Sequence, residues 1–593
     1  MTPPHGRTRR QRWLWLGPVV GLLVGAGSAA INGCASSESG SAPGTGPSPG
    51  PGGSSDAGSG FGAGPGLPPF GSDASSGGLD AGVVLPPEME LESSYEVPVA
   101  TGRFVWIANP TSGRVAFIDA STLAVKTIEA GNAPTFLAAI PSQTDDAVIV
   151  LNALSDDATI LRAKGATTTS AATTLTSTTI RGVAHGANAW SISSDGHWAI
   201  AWTDARRVPK AVKTESFQDI TVIDLKATDA TKAKTVLAVG YRPAAVAFAA
   251  DGARAFAVTE DGISVVELAA VGGPQVTKNV ALTDDPTEPA DTRDVSVTPD
   301  GRLAVVRREG SAVLSVVDLG TGTRTPLDLG GPVTDVDLTA SGDRAIAVLR
   351  NSSEVVIVPL SAGAPMAAAL TRIAVPGEVI GSVAMTPNGT SAILYSNATT
   401  AERLTVLTLG PIPETRVVKL HAPVLSVFPA PDGQHAVVIH RLVTEAEAAR
   451  ADAGVAGTGG ADGGVGRIIP AQAADAFSLV PLDGSRPARI QATDTAPRAV
   501  AISPSSNRAL VTVRDDVRKI YAVYLGLLPS LEVRAFPLAS PPIAAGVVAA
   551  ADKGYVAQKH PEGRITFMTL TSGDARTLTG FELGARVVDW SKP

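Results

Sequence analysis

A tight turn between two apolar stretches recurs along this chain, at Asp195-Gly196, Asp251-Gly252, Asp300-Gly301, Ser341-Gly342, Asn388-Gly389 and Asp432-Gly433. Asp-Gly and Asn-Gly supply the positive φ values that two-residue hairpins require. Neighbouring turns lie about 41–56 residues apart, the length of one four-stranded propeller blade. Later units keep the pattern with weaker turns, at Ser503-Pro504-Ser505-Ser506-Asn507 and around Asp552-Lys553-Gly554. Flanking stretches such as Ala245-Val246-Ala247-Phe248 and Ala255-Phe256-Ala257-Val258 have no polar break. Strands of that kind are buried on both faces, as in sheets stacked face to face. An array of β-sandwiches would instead alternate apolar and polar residues.

The run from Phe104 to Thr135 shows one unit in full. Strands at 104–108, 115–118 and 125–128 are separated by the turns Asn109-Pro110-Thr111-Ser112-Gly113 and Asp119-Ala120-Ser121-Thr122. Trp106-Ile107-Ala108-Asn109 and Ala116-Phe117-Ile118-Asp119 resemble the namesake tetrapeptide and the V-x-V-I-D strand of the YVTN family of β-propeller repeats. The second element recurs as Ile220-Thr221-Val222-Ile223-Asp224-Leu225 and Leu314-Ser315-Val316-Val317-Asp318-Leu319. The resemblance implies an all-β propeller of four-stranded antiparallel blades over 96–593. About ten units are counted and a single ring is favoured, with seven or eight blades, or two rings, left open. The first unit lacks an innermost strand. Ala585-Arg586-Val587-Val588-Asp589-Trp590 has the character to supply it, so the C-terminus is expected to pair with 104–108 and close the ring, leaving no long sheet edge open.

The N-terminus has a different organisation. Arg7, Arg9, Arg10 and Arg12 precede an apolar run from Trp13 to Ile31, the layout of an export signal over 1–33. The run ends at Ile31-Asn32-Gly33-Cys34, which resembles the lipobox of bacterial lipoproteins. That resemblance implies cleavage before Cys34, lipidation of its thiol, and attachment to the outer membrane or cell surface. The alternative is an uncleaved anchor at 13–31 with Cys34 an ordinary thiol; both tether the chain to a membrane. Cys34 is the only cysteine, so disulfides and Cys-ligated metals are excluded. Residues 34–95 are dominated by Gly, Ser and Pro over most of their length and read as a disordered tether.

Two four-stranded-blade rules then sort the insertions. Loops between the second and third strands, and between blades, lie on one face; the first-to-second and third-to-fourth turns lie on the other. The stretches 206–217, 284–293 and 444–474 all belong to the first face, which we nominate for recognition because loops on a rigid scaffold usually carry binding. Its candidate residues are Arg206, Arg207, Lys210 and Lys213 in a basic loop, and Asp284, Asp285, Glu288, Asp291 and Asp294 in an acidic one. The bland reading makes both loops solvated, attracting one another weakly across the rim. The acidic loop lacks calcium-loop spacing. The tract at 444–474, rich in Gly, Asp and Ala, is expected to be disordered. Trp106, Trp190, Trp198, Trp202 and Trp590 are assigned to packing.

A net charge of −8 argues against nucleic acid. Beyond the signal only six histidines remain, none with recognisable partner spacing, and no H-E-x-x-H, G-x-S-x-G or phosphate loop occurs. No catalytic residue, metal or cofactor is therefore assigned. The expected function is a monomeric envelope module that binds or scaffolds a protein, peptide or glycan. The alternative, implied by the family resemblance, is a lactonase-like or cofactor-dependent oxidoreductase site on the ring axis.

Overall fold

The computed structural model describes residues 98–164, 174–207, 217–285, 287–360, 369–442 and 475–580. Cys34 and the segments 1–33, 34–95 (with residues 96–97), 443–474 and 581–593 lie outside the described residues, so the expected signal, tether and insertion and Trp590 fall there too. The described chain folds into ten four-stranded antiparallel blades arranged in a ring. Numbered in chain order, they span 99–129, 134–181, 189–238, 245–280, 293–328, 335–374, 382–419, 424–492, 497–537 and 542–579. Each blade runs as a simple meander from the innermost strand outward. The Thr-rich segment Thr174–Arg181 forms the outer strand of blade two.

Burial explains why so few charges suffice. Along Trp198–Trp202, five consecutive residues are buried, so this strand presents apolar side chains to both adjacent blades. The outer strands, such as Val125–Glu129 and Arg324–Asp328, are mostly exposed or half-buried and include Thr, Lys and Arg among their residues. The buried apolar residues fall into ten clusters, one for each gap between neighbouring blades. No single core exists; each blade buries both faces against its neighbours, the economy of a repeat architecture.

The turns differ from the two-residue form. In each hairpin only the glycine takes a positive φ, for example 64° at Gly301 and 69° at Gly342. The preceding Asp does not; its carboxylate accepts a backbone N–H two residues on, as Asp300 does from Arg302 at 3.0 Å. Ahead of Asp195 and Asp300 a Ser or Thr two residues earlier reinforces the loop, with Thr298 Oγ1 accepting from the Leu303 amide at 3.0 Å and donating to Asp300. Glycine is needed for space as well. A Cβ on Gly342 would lie 2.4 Å from Cδ of Pro299 in the previous blade. Ser506 and Asp552 occupy the same left-handed position in blades nine and ten, which is why those turns looked weak in the sequence.

Adjacent blades are stitched by side chains at strand ends. Arg302, Arg344 and Arg508, each at the start of a second strand, donate to the carbonyls of Leu360, Leu409 and Leu570 in the following blade. On the inner strands, buried Asp335 and Asp337 of blade six accept the amide N–H groups of Val383 and Met385 in blade seven, at 2.7 and 2.8 Å. These carboxylates satisfy backbone donors that an inner edge would otherwise leave unpaired.

The inner strand of blade one comes from a source the sequence reading did not foresee. Val99–Ala100 pairs with Trp106 and Val105, the edge anticipated for the C-terminal segment. Residues 585–590 lie outside the described residues. Two residues just upstream can fill the edge because the four-stranded order needs only a short strand near the axis. The ring closes by packing: Ala100, Val105, Ala116 and Ile118 of blade one meet Val548, Tyr555, Ile565 and Phe567 of blade ten. The Tyr555 hydroxyl donates to the Pro98 carbonyl at 2.9 Å within this seam, and burial pushes its pKa up.

Candidate functional site

The strand order places Arg206–Arg207, Phe217, Tyr241–Arg242, Glu260–Asp261 and the connection 281–292 on the face reached by the ends of the second strands. These residues follow one another around blades three, four and five. In blade three the buried Asp204 takes a bidentate pair from Arg206, with Nε to Oδ1 at 2.8 Å and Nη2 to Oδ2 at 2.7 Å. The same Nη2 donates to the Ala244 carbonyl at 2.7 Å, fastening this loop to the next connection. Arg207 ends the short 3-10 turn Ala205–Arg207; Lys210 and Lys213 lie outside the described residues.

The acidic loop is neutralised from blade five. Glu288 sits 2.6 Å from Arg308 and 3.9 Å from Arg293, and all but a tenth of its side chain is buried. Arg293 donates to the Glu260 carbonyl at 2.6 Å, and burial lowers its pKa. Asp294 pairs with Arg307 and Asp284 with Arg324. Asp285 accepts from the hydroxyl and amide of Thr287, which holds its pKa below the ordinary value. Asp291 is exposed in the 3-10 turn Ala290–Thr292. The ion pairs that tie down the described residues of both loops are formed with neighbours of the same blade or the next, and none joins one loop to the other.

Between them lies a group the sequence reading passed over. Arg242 has a φ of +50°, a strained value for a side chain of this size. Its amide donates to the Phe217 carbonyl at 2.8 Å. The guanidinium carbon stands 5.1 Å from the Tyr241 ring centre and 5.5 Å from that of Phe217, in the range of cation–π attraction. The two rings meet edge to face at 6.3 Å. Glu260 lies 3.4 Å from Arg242 on the far side, and Asp261 accepts the Tyr241 amide at 2.7 Å. Tyr241 remains 39% exposed, the one large aromatic among the exposed apolar side chains described. The legible signal was Gly240-Tyr241-Arg242-Pro243, an aromatic beside an arginine in a connection between blades.

Trp106, Trp190, Trp198 and Trp202 are all buried, consistent with packing. His435 and His440 begin and end one strand, His435–His440, and so face opposite sides. Among the described residues, no three His, Asp, Glu or Cys side chains converge to hold a metal ion.

No family model and no curated protein matches this chain. Solved structures show a low similarity to it over part of the chain. Hydrazine synthase of Kuenenia stuttgartiensis is 14% identical, with 57% of this chain and 95% of that chain covered and a TM-score of 0.30. The dihydro-heme d1 dehydrogenase NirN in complex with DHE is 13% identical, with 64% and 79% covered and a TM-score of 0.37. Apo AztD from Citrobacter koseri is 14% identical, with 62% and 92% covered and a TM-score of 0.34.

Proposed function

We propose that this protein is a cell-envelope lipoprotein, anchored through Cys34, whose monomeric propeller binds or scaffolds a partner through the loop-bearing face. The observation that carries the reading is the platform of Phe217, Tyr241 and Arg242. Tyr and Arg dominate the binding energy of protein interfaces, and here both are exposed, held by each other, and placed on a backbone kept in a strained conformation. Prior ordering lowers the entropy lost on binding. A protein or peptide surface suits this chemistry better than a glycan, because the guanidinium already covers one side of the Tyr241 ring. Arg206, Arg207 and the acidic residues 284, 285, 288, 291 and 294 would frame the platform.

A photo-crosslinking residue placed at Tyr241 and, separately, at the fully exposed Val271 on the opposite face tests the proposal in cells. A defined envelope protein crosslinked from 241 and not from 271 is expected. Crosslinks from 271 alone would overturn the choice of face, and saturable binding of purified glycans abolished by Tyr241→Ala would overturn the choice of ligand. The anchor is tested by mass spectrometry of the mature N-terminus. An unacylated Cys34, or retention of residues before it, would remove that part of the reading.

A further inference from the structure

Blade two carries a small polar cavity that the proposed recognition does not use. Its walls are Leu151, Asn152, Ala153, Asp156, Asp157, Val183, Ala184 and Ala187, and its volume of about 10 Å³ admits a single water-sized body. The loop that forms it joins Asp146–Asn152 to Asp157–Lys164, with Asp156 at a φ of +47°. Asn152 is only 1% exposed. Its Nδ2 donates to Asp157 Oδ1 at 2.5 Å and to Thr159 Oγ1 at 3.0 Å, which fixes the amide orientation and turns Oδ1 away from both. That Oδ1 is buried and accepts no hydrogen bond. A buried acceptor without a partner carries a desolvation cost that a bound donor or cation would remove.

The remaining groups favour a cation. Asp156 uses Oδ2 toward His185 Nδ1 at 2.7 Å and Asp157 uses Oδ1 toward Asn152, so each carboxylate keeps one oxygen uncommitted. The loop is also built around the amide and carboxylate: a Cβ on Gly131 would lie 2.5 Å from Asn152 Nδ2 and 2.9 Å from Asp157 Oδ1. We propose that this cavity is a binding site for one calcium ion, held by Asn152 Oδ1, the carboxylates of Asp156 and Asp157, and lining backbone carbonyls. Two carboxylates balance a divalent charge, and every donor is a hard oxygen. Magnesium, which retains several waters in a strict octahedron, does not fit a space of this size; calcium tolerates irregular, largely dehydrated coordination.

The test is calorimetric titration of calcium chloride into the chelator-stripped full-length protein, beside thermal melts with and without calcium. One equivalent should bind, and the melt should shift upward with calcium. Asp156→Asn weakens an exposed contact to His185 and should lower the metal-free melt only slightly, while weakening calcium binding about tenfold or more. Asn152→Ala should abolish binding, and Asp157→Asn should weaken it as Asp156→Asn does. Absence of binding heat and of any melt shift would overturn the site, leaving the cavity to an ordered water. Undiminished binding in Asp156→Asn and Asp157→Asn would also overturn it, by placing the ion elsewhere in the chain.

Discussion

His440 offers a quantitative test of how blade eight is packed. It is 3% exposed at the end of a second strand, with Nδ1 3.1 Å from the Pro423 carbonyl and Nε2 2.7 Å from Ser478 Oγ. A carbonyl can only accept, so Nδ1 carries the proton and Nε2 accepts from the serine. Burial pushes the pKa down from 6.5 to about 4. The unfolded chain therefore takes up a proton below pH 6.5 that the folded ring refuses until about pH 4. The stability contributed by neutral His440 is complete above 6.5 and is lost as pH falls through that window, with no further loss below it. The full loss is about 3 kcal/mol, of which about 2.5 kcal/mol has been reached at pH 4.5. His440→Gln keeps a donor and an acceptor but has no proton to gain. Urea unfolding of both proteins at pH 7 and pH 4.5 isolates the effect, because shared carboxylates cancel in the difference. The wild type should lose about 2.5 kcal/mol more than the variant on acidification. Equal losses would refute the assignment of a neutral, desolvated imidazole.

Three further outcomes follow from the geometry of the seams. Gly342→Ala should destabilise by about 2–4 kcal/mol in urea, combining a left-handed φ with a collision against Pro299, whereas Gly310→Ala, also left-handed but facing open space, should cost about 1 kcal/mol. Tyr555→Phe should cost about 1 kcal/mol and raise hydrogen exchange in Val99 and Ala100, whose seam it ties through Pro98; unchanged exchange would show that packing alone closes the ring. Asp337→Ala should cost about 1–3 kcal/mol by orphaning the Met385 amide, with faster exchange at that amide as the local readout.

The architecture was legible because its two determinants are local. A turn dipeptide and a strand without polar interruption each fit within a dozen residues, and their recurrence converts weak signals into a ring of blades. The turn mechanism was not legible, since Asp300-Gly301 reads the same whether both residues or only the glycine adopts a positive φ. The inner strand of blade one was missed for a related reason: Val99–Ala100 has only two paired residues, too few to show a period.

The charged loops failed differently, and the difference bears on where recognition can reside. Their signs are legible, but Arg307, Arg308 and Arg324 lie beyond the acidic loop in sequence and come beside it when blade five folds, where Arg307 stands directly across the ladder from Asp294. The charges of these loops are therefore consumed first by pairing within a blade, and a guanidinium so paired can also fasten the next connection, as Arg206 does. Such pairs already hold their partners, and breaking them to engage a ligand would expose the buried Asp204 or Glu288 without compensation. Tyr241 and Arg242 escape this constraint, because their mutual contact leaves the phenol edge and much of the guanidinium in solvent. A partner adds contacts to them without dismantling a seam, which is the physical reason to seek recognition at the platform before the more heavily charged loops on either side.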